Sequence, residues 1–143
     1  MDVIVQRQSA LDVHKAQVTA CVRVPGADGA RVQQIKQFKT TVRGLLVLAD
    51  WLKAHGVTHV VMEATGDYWK PVWHVLEHEF ELMLVNARDV KNLPGRKTDV
   101  SDSAWLCQLA EAGLLRASFV PPKPIRDLRQ LTRYRRSQIA ERR

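Results

Sequence analysis

At 143 residues, with 45% apolar and 26% charged side chains, the chain has the length and composition of one soluble globular domain. Its apolar runs fall short of the roughly 18 residues that a membrane span needs, and the N-terminus MDVIVQRQS lacks the basic start and apolar core of a signal peptide. We therefore expect a cytoplasmic protein with no membrane partner, whose distant Cys21 and Cys107 are buried and reduced.

The net charge of +7 is concentrated at the C-terminal end. Residues 1–122 carry 14 Lys and Arg against 13 Asp and Glu, whereas residues 123–143 carry 8 against 2. A basic arm of this kind is typical of nucleic-acid contact, because guanidinium groups bind phosphates well. A solvated helix that packs against a partner explains the same pattern. The arginines expected to contact nucleic acid are Arg129, Arg133, Arg135 and Arg136.

Three predicted strands come first in the chain. Residues 8–14, 17–24 and 32–38 alternate between apolar and polar side chains, and they are joined by HKA and by the turn PGADGA. Short links of this kind predict an antiparallel meander. The apolar run THVVME at residues 58–63 is typical of a central strand that is buried on both faces.

A helix is predicted between the third and fourth strands. Thr41 suits the N-cap, and Gly56 suits the position just past the end. The apolar face expected to pack on the sheet comprises Leu45, Leu46, Leu48, Ala49 and Leu52.

The second half of the chain predicts two further helices and a strand. Pro71 fits only near the first turn of a helix, so a helix should begin within residues 68–70. FELMLVN at residues 80–86 reads as another buried strand. After a loop with at most one helical turn, Thr98 is expected to cap a helix that runs to about Ala112.

The predicted order is βββαβαβα, followed by the rigid linker FVPPKP and a C-terminal basic helix. Three antiparallel strands and two strand–helix units combine most simply into an α/β fold, a mixed five-stranded sheet with helices on both faces. This is the layout of ribonuclease H-like domains. We expect residues 1–120 to form that domain and residues 121–143 to be a Pro-rich linker and the start of a connecting helix.

Four carboxylates stand where a two-metal nuclease needs them. Asp12 and Glu63 end apolar strands, and Asp99 and Asp102 have the i, i+3 spacing that would place both on one helix face. Carboxylate oxygens are hard ligands that favour Mg²⁺ or Mn²⁺, and two such ions can flank a scissile phosphate. The pattern predicts an enzyme that breaks and joins DNA strands. Asp99 taken alone is equally explained by the helix dipole.

Basic and aromatic side chains lie in the loops beside these carboxylates. They are expected to hold the nucleic-acid backbone or to stack on bases, although solvated charges and core aromatics are the simpler alternatives. The predicted contacts are Lys15, Tyr68, Arg88, Lys91, Arg96 and Lys97. The segment HVLEH also matches a zinc-peptidase pattern through His74 and His78, but no third ligand has convincing spacing.

Several segments in order resemble one known family. LDVHK, VMEATGDYW, NARDVKNLPGRKTDVSDSAWLCQLAEAGLL, FVPP and LRQLTRYRR are similar to the N-terminal domain of the DEDD transposases of bacterial insertion sequences. That family includes the Piv pilin-gene invertase and the bridge-RNA-guided recombinases. The resemblance covers nearly everything from residue 10 onward. Ala10 and Leu11 stand where the family often has a glycine.

The resemblance implies a RuvC-like fold and a metal-dependent DNA recombinase. The family carboxylates fall on Asp12, Glu63, Asp99 and Asp102, which would be catalytic and would bind Mg²⁺. It also implies DNA and a guide RNA as partners, a homo-oligomer in the full-length protein, and a second domain with a nucleophilic serine. This chain stops before any such domain, so we expect a fragment or a truncated copy.

Two other functions fit the same residues. A junction-resolving nuclease of the RuvC type also uses four carboxylates, and it would cut branched DNA without a guide. A non-catalytic nucleic-acid-binding remnant would tolerate loss of Asp12 or Asp102. An ATPase of the actin and hexokinase kind fits poorly, because the first hairpin, DVHKAQ, lacks the glycine that lets a backbone approach phosphates.

Overall fold

The structure is a computed structural model that describes residues 2–64, 66–96 and 100–118. The linker and basic helix predicted from Phe119 onward lie outside these residues, as does the proposed cap Thr98. None of the helices in the described ranges has the length and apolar character to cross a membrane.

A mixed five-stranded sheet forms the centre of the fold. The strands are β1 (Gln8–Val13), β2 (Gln17–Pro25), β3 (Arg31–Lys39), β4 (His59–Ala64) and β5 (Glu81–Asn86). β1, β2 and β3 form the predicted antiparallel meander, and β4 and β5 continue the sheet in parallel from β1. The strand order is β3-β2-β1-β4-β5, which confirms the predicted fold class.

Helices cover both faces of the sheet, as predicted. The described helices are α1 (Val42–Ala54), α2 (Trp69–Leu76), α3 (Ala87–Lys91) and α4 (Asp102–Glu111). α1 and α2 enclose the core on one face, and α3 and α4 enclose a second core on the other. Strands β1 and β4 are buried on both faces, because successive side chains point to opposite sides and helices cover each side. Leu11 therefore lies in the first core and Ala10 in the second.

The apolar face of α1 is narrower than the sequence pattern indicated. Leu45, Leu48 and Leu52 are buried, as expected for i, i+3 and i+7 positions, but Leu46 is 53% exposed. A helix turns about 100° per residue, so a residue directly after Leu45 points away from the sheet. The prediction for Leu46 was wrong, whereas the Thr41 cap is confirmed: its side chain accepts a hydrogen bond from Gly44 N at 3.0 Å.

The last helix begins later than predicted. Ser101, not Thr98, is the N-cap of α4: its backbone is extended and its hydroxyl accepts from Ala104 N at 3.3 Å. Asp102 is therefore the first helical residue. Two serine or threonine caps were available, and the chain uses the second. The prediction that Asp99 shares a face with Asp102 falls on a residue outside those that the structure describes. Gly113, at φ +71°, follows the helix end as predicted.

Candidate active site

Asp12 and Glu63 lie side by side at the ends of two neighbouring parallel strands. The register pairs Leu11 of β1 with Met62 of β4, so the next residues along both strands are these two acids. Asp12 lies two positions after Ala10, and Glu63 lies two positions after Val61. Ala10 and Val61 both belong to the second core, under α3 and α4. Because side chains alternate along a strand, both carboxylates face the side of the sheet that α4 covers. Both are partly buried.

Helix α4 brings Asp102 to the same end of the sheet. Its opposite end is fixed just before β1, where the Glu111 carbonyl accepts hydrogen bonds from Ile4 N at 2.7 Å and from Val5 N at 3.0 Å. Midway, the Cys107 thiol donates to the Gln8 carbonyl at 3.4 Å. α4 therefore runs antiparallel to β1, and its first residue lies towards the carboxyl ends of β1 and β4. The backbone N–H groups of this first turn also favour negative charge.

The electrostatics of Glu63 link the three carboxylates. Burial is the largest cause that raises the pKa of Glu63 above its ordinary value of 4.5, and the charges of Asp12 and Asp102 raise it further. Lys91 and Arg96 act in the opposite direction. Charges shift a pKa in this way only when they lie close together or share a poorly solvated region. One end of the sheet therefore combines three carboxylates with two cations.

Two of these carboxylates have direct side-chain partners. His14 Nε2 lies 3.2 Å from Asp12 Oδ2, and Arg96 Nη2 donates to Asp102 Oδ1 at 2.7 Å. His14 is positioned by the β1–β2 hairpin, where its backbone N–H donates to the Gln17 carbonyl at 2.9 Å. His14 is not among the site residues predicted from the sequence. Its position two residues after Asp12, where alternation returns a side chain to the same face, is the signal that was available.

The donor set fits a hard divalent cation in its chemistry. Carboxylate oxygens from Asp12, Glu63 and Asp102 are the ligands that Mg²⁺ and Mn²⁺ prefer. Within the described residues, no group of three Asp, Glu, His or Cys side chains is arranged to hold a metal ion. The fourth predicted ligand, Asp99, lies outside those residues.

The other predicted contact residues that the structure describes are exposed around this end of the sheet. Lys15 follows β1, Tyr68 follows β4, and Arg88 lies in α3 directly after β5. Tyr68 is 48% exposed, whereas its neighbour Trp69 packs on the core. Lys91 and Arg96 are exposed on the same segment as Arg88. The predicted contacts outside the described residues are Lys97, Arg129, Arg133, Arg135 and Arg136.

Solved structures share this fold. The chain is similar to Thermus thermophilus RuvC, with a TM-score of 0.54 and 10% identity, over 79% of this chain and 100% of that one. It is also similar to T. thermophilus RuvC in complex with a Holliday junction substrate, with a TM-score of 0.52 and 9% identity, over 79% and 99% of the two chains. At such low identity these likenesses concern the fold alone. They confirm the predicted RuvC-like architecture.

Sequence comparison identifies the family. No curated protein has a significantly similar sequence. A family model described as Transposase, for DEDD transposases of the IS110 type, matches residues 10–143. The match covers nearly the whole chain and agrees with the resemblance noted from its motifs. The chain therefore belongs to the IS110-type DEDD transposase family.

Proposed function

We propose that this chain is the DNA-cleaving domain of an insertion-sequence transposase and that it catalyses metal-dependent strand cleavage and exchange. The catalytic and metal-binding residues in this proposal are Asp12, Glu63, Asp99 and Asp102. The observation that carries it is the adjacency of Asp12 and Glu63 on parallel strands, with Asp102 close enough to raise the pKa of Glu63. Membership of a transposase family supports the same chemistry.

Each group has a role that its position supports. The carboxylates bind Mg²⁺ or Mn²⁺, which when bound activates the attacking oxygen and stabilises the leaving oxygen. Lys91 and Arg96 neutralise charge beside Glu63 and orient the scissile phosphate. Lys15 and Arg88 hold the flanking backbone, and Tyr68 offers an exposed ring for base stacking.

The proposal extends to the rest of the chain and to its partners. Residues 1–120 form the catalytic domain, and residues 121–143 form a basic connection that tracks nucleic acid through Arg129, Arg133, Arg135 and Arg136, with Lys97 contributing from the catalytic domain. DNA is the substrate. An element-encoded guide RNA and homo-oligomerisation of a longer protein rest on the family alone.

Cleavage assays with conservative variants test the catalytic proposal. Asp12→Asn, Glu63→Gln and Asp102→Asn should each lower Mg²⁺-dependent DNA cleavage by more than about 100-fold. Mutation of residues that only hydrogen-bond to metal ligands already lowers metal affinity or activity by about 10–100-fold. Asp50→Asn, an exposed carboxylate on α1 across the sheet, is the matched control and should cleave normally. Unchanged cleavage in the three site variants would show that these carboxylates are not catalytic, whereas DNA binding without Mg²⁺-dependent cleavage in the unmodified protein would favour a binding remnant.

The choice of DNA substrate separates the transposase from a junction-resolving nuclease. Four-way junctions and linear element ends should be compared with and without an element-encoded RNA. Cleavage of junctions in the absence of RNA would favour the resolvase, whereas cleavage of element ends that requires RNA would support guided recombination. The RuvC-like fold is compatible with both outcomes.

A further inference from the structure

Arg96 makes an unusual set of contacts beside the carboxylates. Its Nη2 donates to Asp102 Oδ1 at 2.7 Å and to Val100 O at 2.8 Å, and its Nε also donates to Val100 O at 3.2 Å. The guanidinium group therefore occupies one carboxylate oxygen of a residue that the proposed function assigns to metal binding. Arg96 also lies near enough to Glu63 that its charge partly opposes the rise in the pKa of that group.

Arginine and a divalent cation compete for the same oxygen in this arrangement. Asp102 Oδ1 already accepts a hydrogen bond at 2.7 Å from a guanidinium, whose positive charge opposes the approach of a second cation to the same oxygen. The ion pair is also easily replaced. The Arg96 side chain is 42% exposed and that of Asp102 is 65% exposed, and exposed pairs of this kind contribute little to stability.

One terminal nitrogen of the Arg96 guanidinium is available to bind a different type of partner. Among the residues that the structure describes, Nη1 of Arg96 has no hydrogen-bond acceptor. The side chain lies beyond the carboxyl end of β5, where Lys91 is also exposed. A planar fork of N–H donors suits a phosphate, whose oxygens accept two parallel hydrogen bonds. A DNA backbone phosphate is therefore the acceptor that matches Arg96 in charge and in geometry.

We propose that Arg96 is an exchangeable partner of Asp102: it holds that carboxylate until a divalent cation binds, and it then transfers to a DNA phosphate. The inference rests on the proposed function, because it assigns Asp102 to the metal and DNA to the site. Arg96 is in this sense a positioning residue that couples the two binding events. Thermodynamic linkage requires the coupling to be reciprocal, so metal binding strengthens the contact between Arg96 and DNA.

Metal binding without DNA provides the first test. Mn²⁺ titrations on the full 143-residue chain should show that Arg96→Gln binds Mn²⁺ about two- to five-fold more tightly than the unmodified protein, the size expected for removal of an exposed competing pair. Arg43→Gln is the matched control. It removes an equal charge from α1, which packs on the opposite face of the sheet. Its Mn²⁺ affinity should be unchanged.

DNA binding provides the second test. Affinity for a short duplex should be measured as a function of salt, in EDTA and in Ca²⁺. In Ca²⁺, Arg96→Gln should make the negative slope of log affinity against log salt shallower by about one, the effect of losing one phosphate contact. In EDTA the same variant should have a smaller effect, because Arg96 is then engaged by Asp102. Arg43→Gln, on α1 across the sheet, should leave the slope unchanged in both conditions.

The outcomes distinguish failure of the Arg96 exchange from failure of the proposed nuclease function. Tighter Mn²⁺ binding by Arg96→Gln, together with a cation-dependent DNA defect, supports the exchange. Equal Mn²⁺ affinity in Arg96→Gln and unmodified protein would overturn the exchange and leave the proposed nuclease standing. If none of the proteins binds Mn²⁺ at this site, both the exchange and the proposed metal site are wrong.

Discussion

The Glu63 carboxyl group lies between β4 and α4, where burial and the charges of Asp12 and Asp102 raise its pKa above 4.5. The folded protein consequently holds this proton more tightly than the unfolded chain does. The resulting stability is fully present below pH 4.5 and is lost as the pH rises through the raised pKa. A residue that suits metal binding therefore destabilises the metal-free fold at neutral pH, a conflict common at functional sites.

Replacement of Glu63 by glutamine should stabilise the metal-free protein at neutral pH. Because the carboxyl group is only partly buried, solvent screening limits the gain to about 1 kcal/mol, or a few degrees in Tm. Thermal unfolding in EDTA should show the difference at about pH 7 and none below about pH 4. Glu81→Gln, an exposed carboxylate on β5, serves as the control. A Glu63→Gln variant that is less stable than the unmodified protein at neutral pH would contradict the conclusion that burial and the charges of Asp12 and Asp102 disfavour the ionised Glu63.

Cys107 should be chemically inert in the folded protein. It is fully buried, and burial raises the pKa of its thiol well above the usual range, which disfavours the reactive thiolate. Cys21 is also fully buried and free. Thiol titration with an aromatic disulfide should detect no rapid reaction under native conditions and two thiols after denaturation. Rapid native modification would mean that α4 separates from the sheet on the time scale of the assay.

At the scale of elements, α4 determines whether the carboxylates meet. Asp102 begins this helix, and Glu111 ends it in a nearly buried ion cluster. The Glu111 oxygens accept from Arg23 Nε at 2.8 Å and from Arg31 Nη2 at 2.7 Å, which ties the helix to β2 and β3. The cluster therefore holds α4 along the sheet from the end opposite to the candidate site.

Glu111→Gln should destabilise the fold substantially. It leaves the two arginines, whose side chains are 17% and 18% exposed, without a buried counter-charge, and loss of one partner in such a group costs about 3 kcal/mol or more. Urea unfolding measures the change. Glu79→Gln is the matched control: it breaks the exposed pair with Lys53, so it should cost less than about 1 kcal/mol. Equal effects of the two variants would show that the cluster does not hold α4.

At the scale of the whole molecule, charge is divided between a nearly neutral body and a basic arm. The body gathers Asp12, Glu63 and Asp102 at the carboxyl ends of β1 and β4, with exposed basic residues on the segments that follow β1 and β5. The arm, residues 123–143, carries a balance of +6. Nucleic-acid affinity should accordingly have two sources, a local one at the site and a less specific one in the arm.

Removal of residues 123–143 should weaken DNA binding mainly at low salt. If the four predicted arginines each contact a phosphate, the slope of log affinity against log salt should fall by about three to four. Duplex binding across a salt series measures this change. Charge-neutral replacement of Arg129, Arg133, Arg135 and Arg136 in the intact chain should reproduce it. An unchanged slope in both proteins would assign the arm to protein packing instead.

Local patterns were sufficient for the architecture but not for every detail within it. Alternation and turn residues predicted the meander and both parallel strands, because period and chain direction follow from short-range sterics. They failed at Leu46, since several apolar residues in succession do not reveal which one faces the sheet. They also failed at the start of α4, where Thr98 and Ser101 were both acceptable caps. Packing decides such cases by selecting the alternative that buries more apolar surface.

The sequence by itself determined the order of elements, the RuvC-like class of the sheet and the strand-end positions of Asp12 and Glu63, because these depend on residue period and local turns. Only the tertiary structure decided that Asp12 is paired with His14 and Asp102 with Arg96. It also decided that Glu111, far from Asp102 in space, holds α4 in place. These contacts depend on how α4 and its neighbouring loops lie against the sheet, and that placement results from burial summed over the whole core rather than from any local pattern.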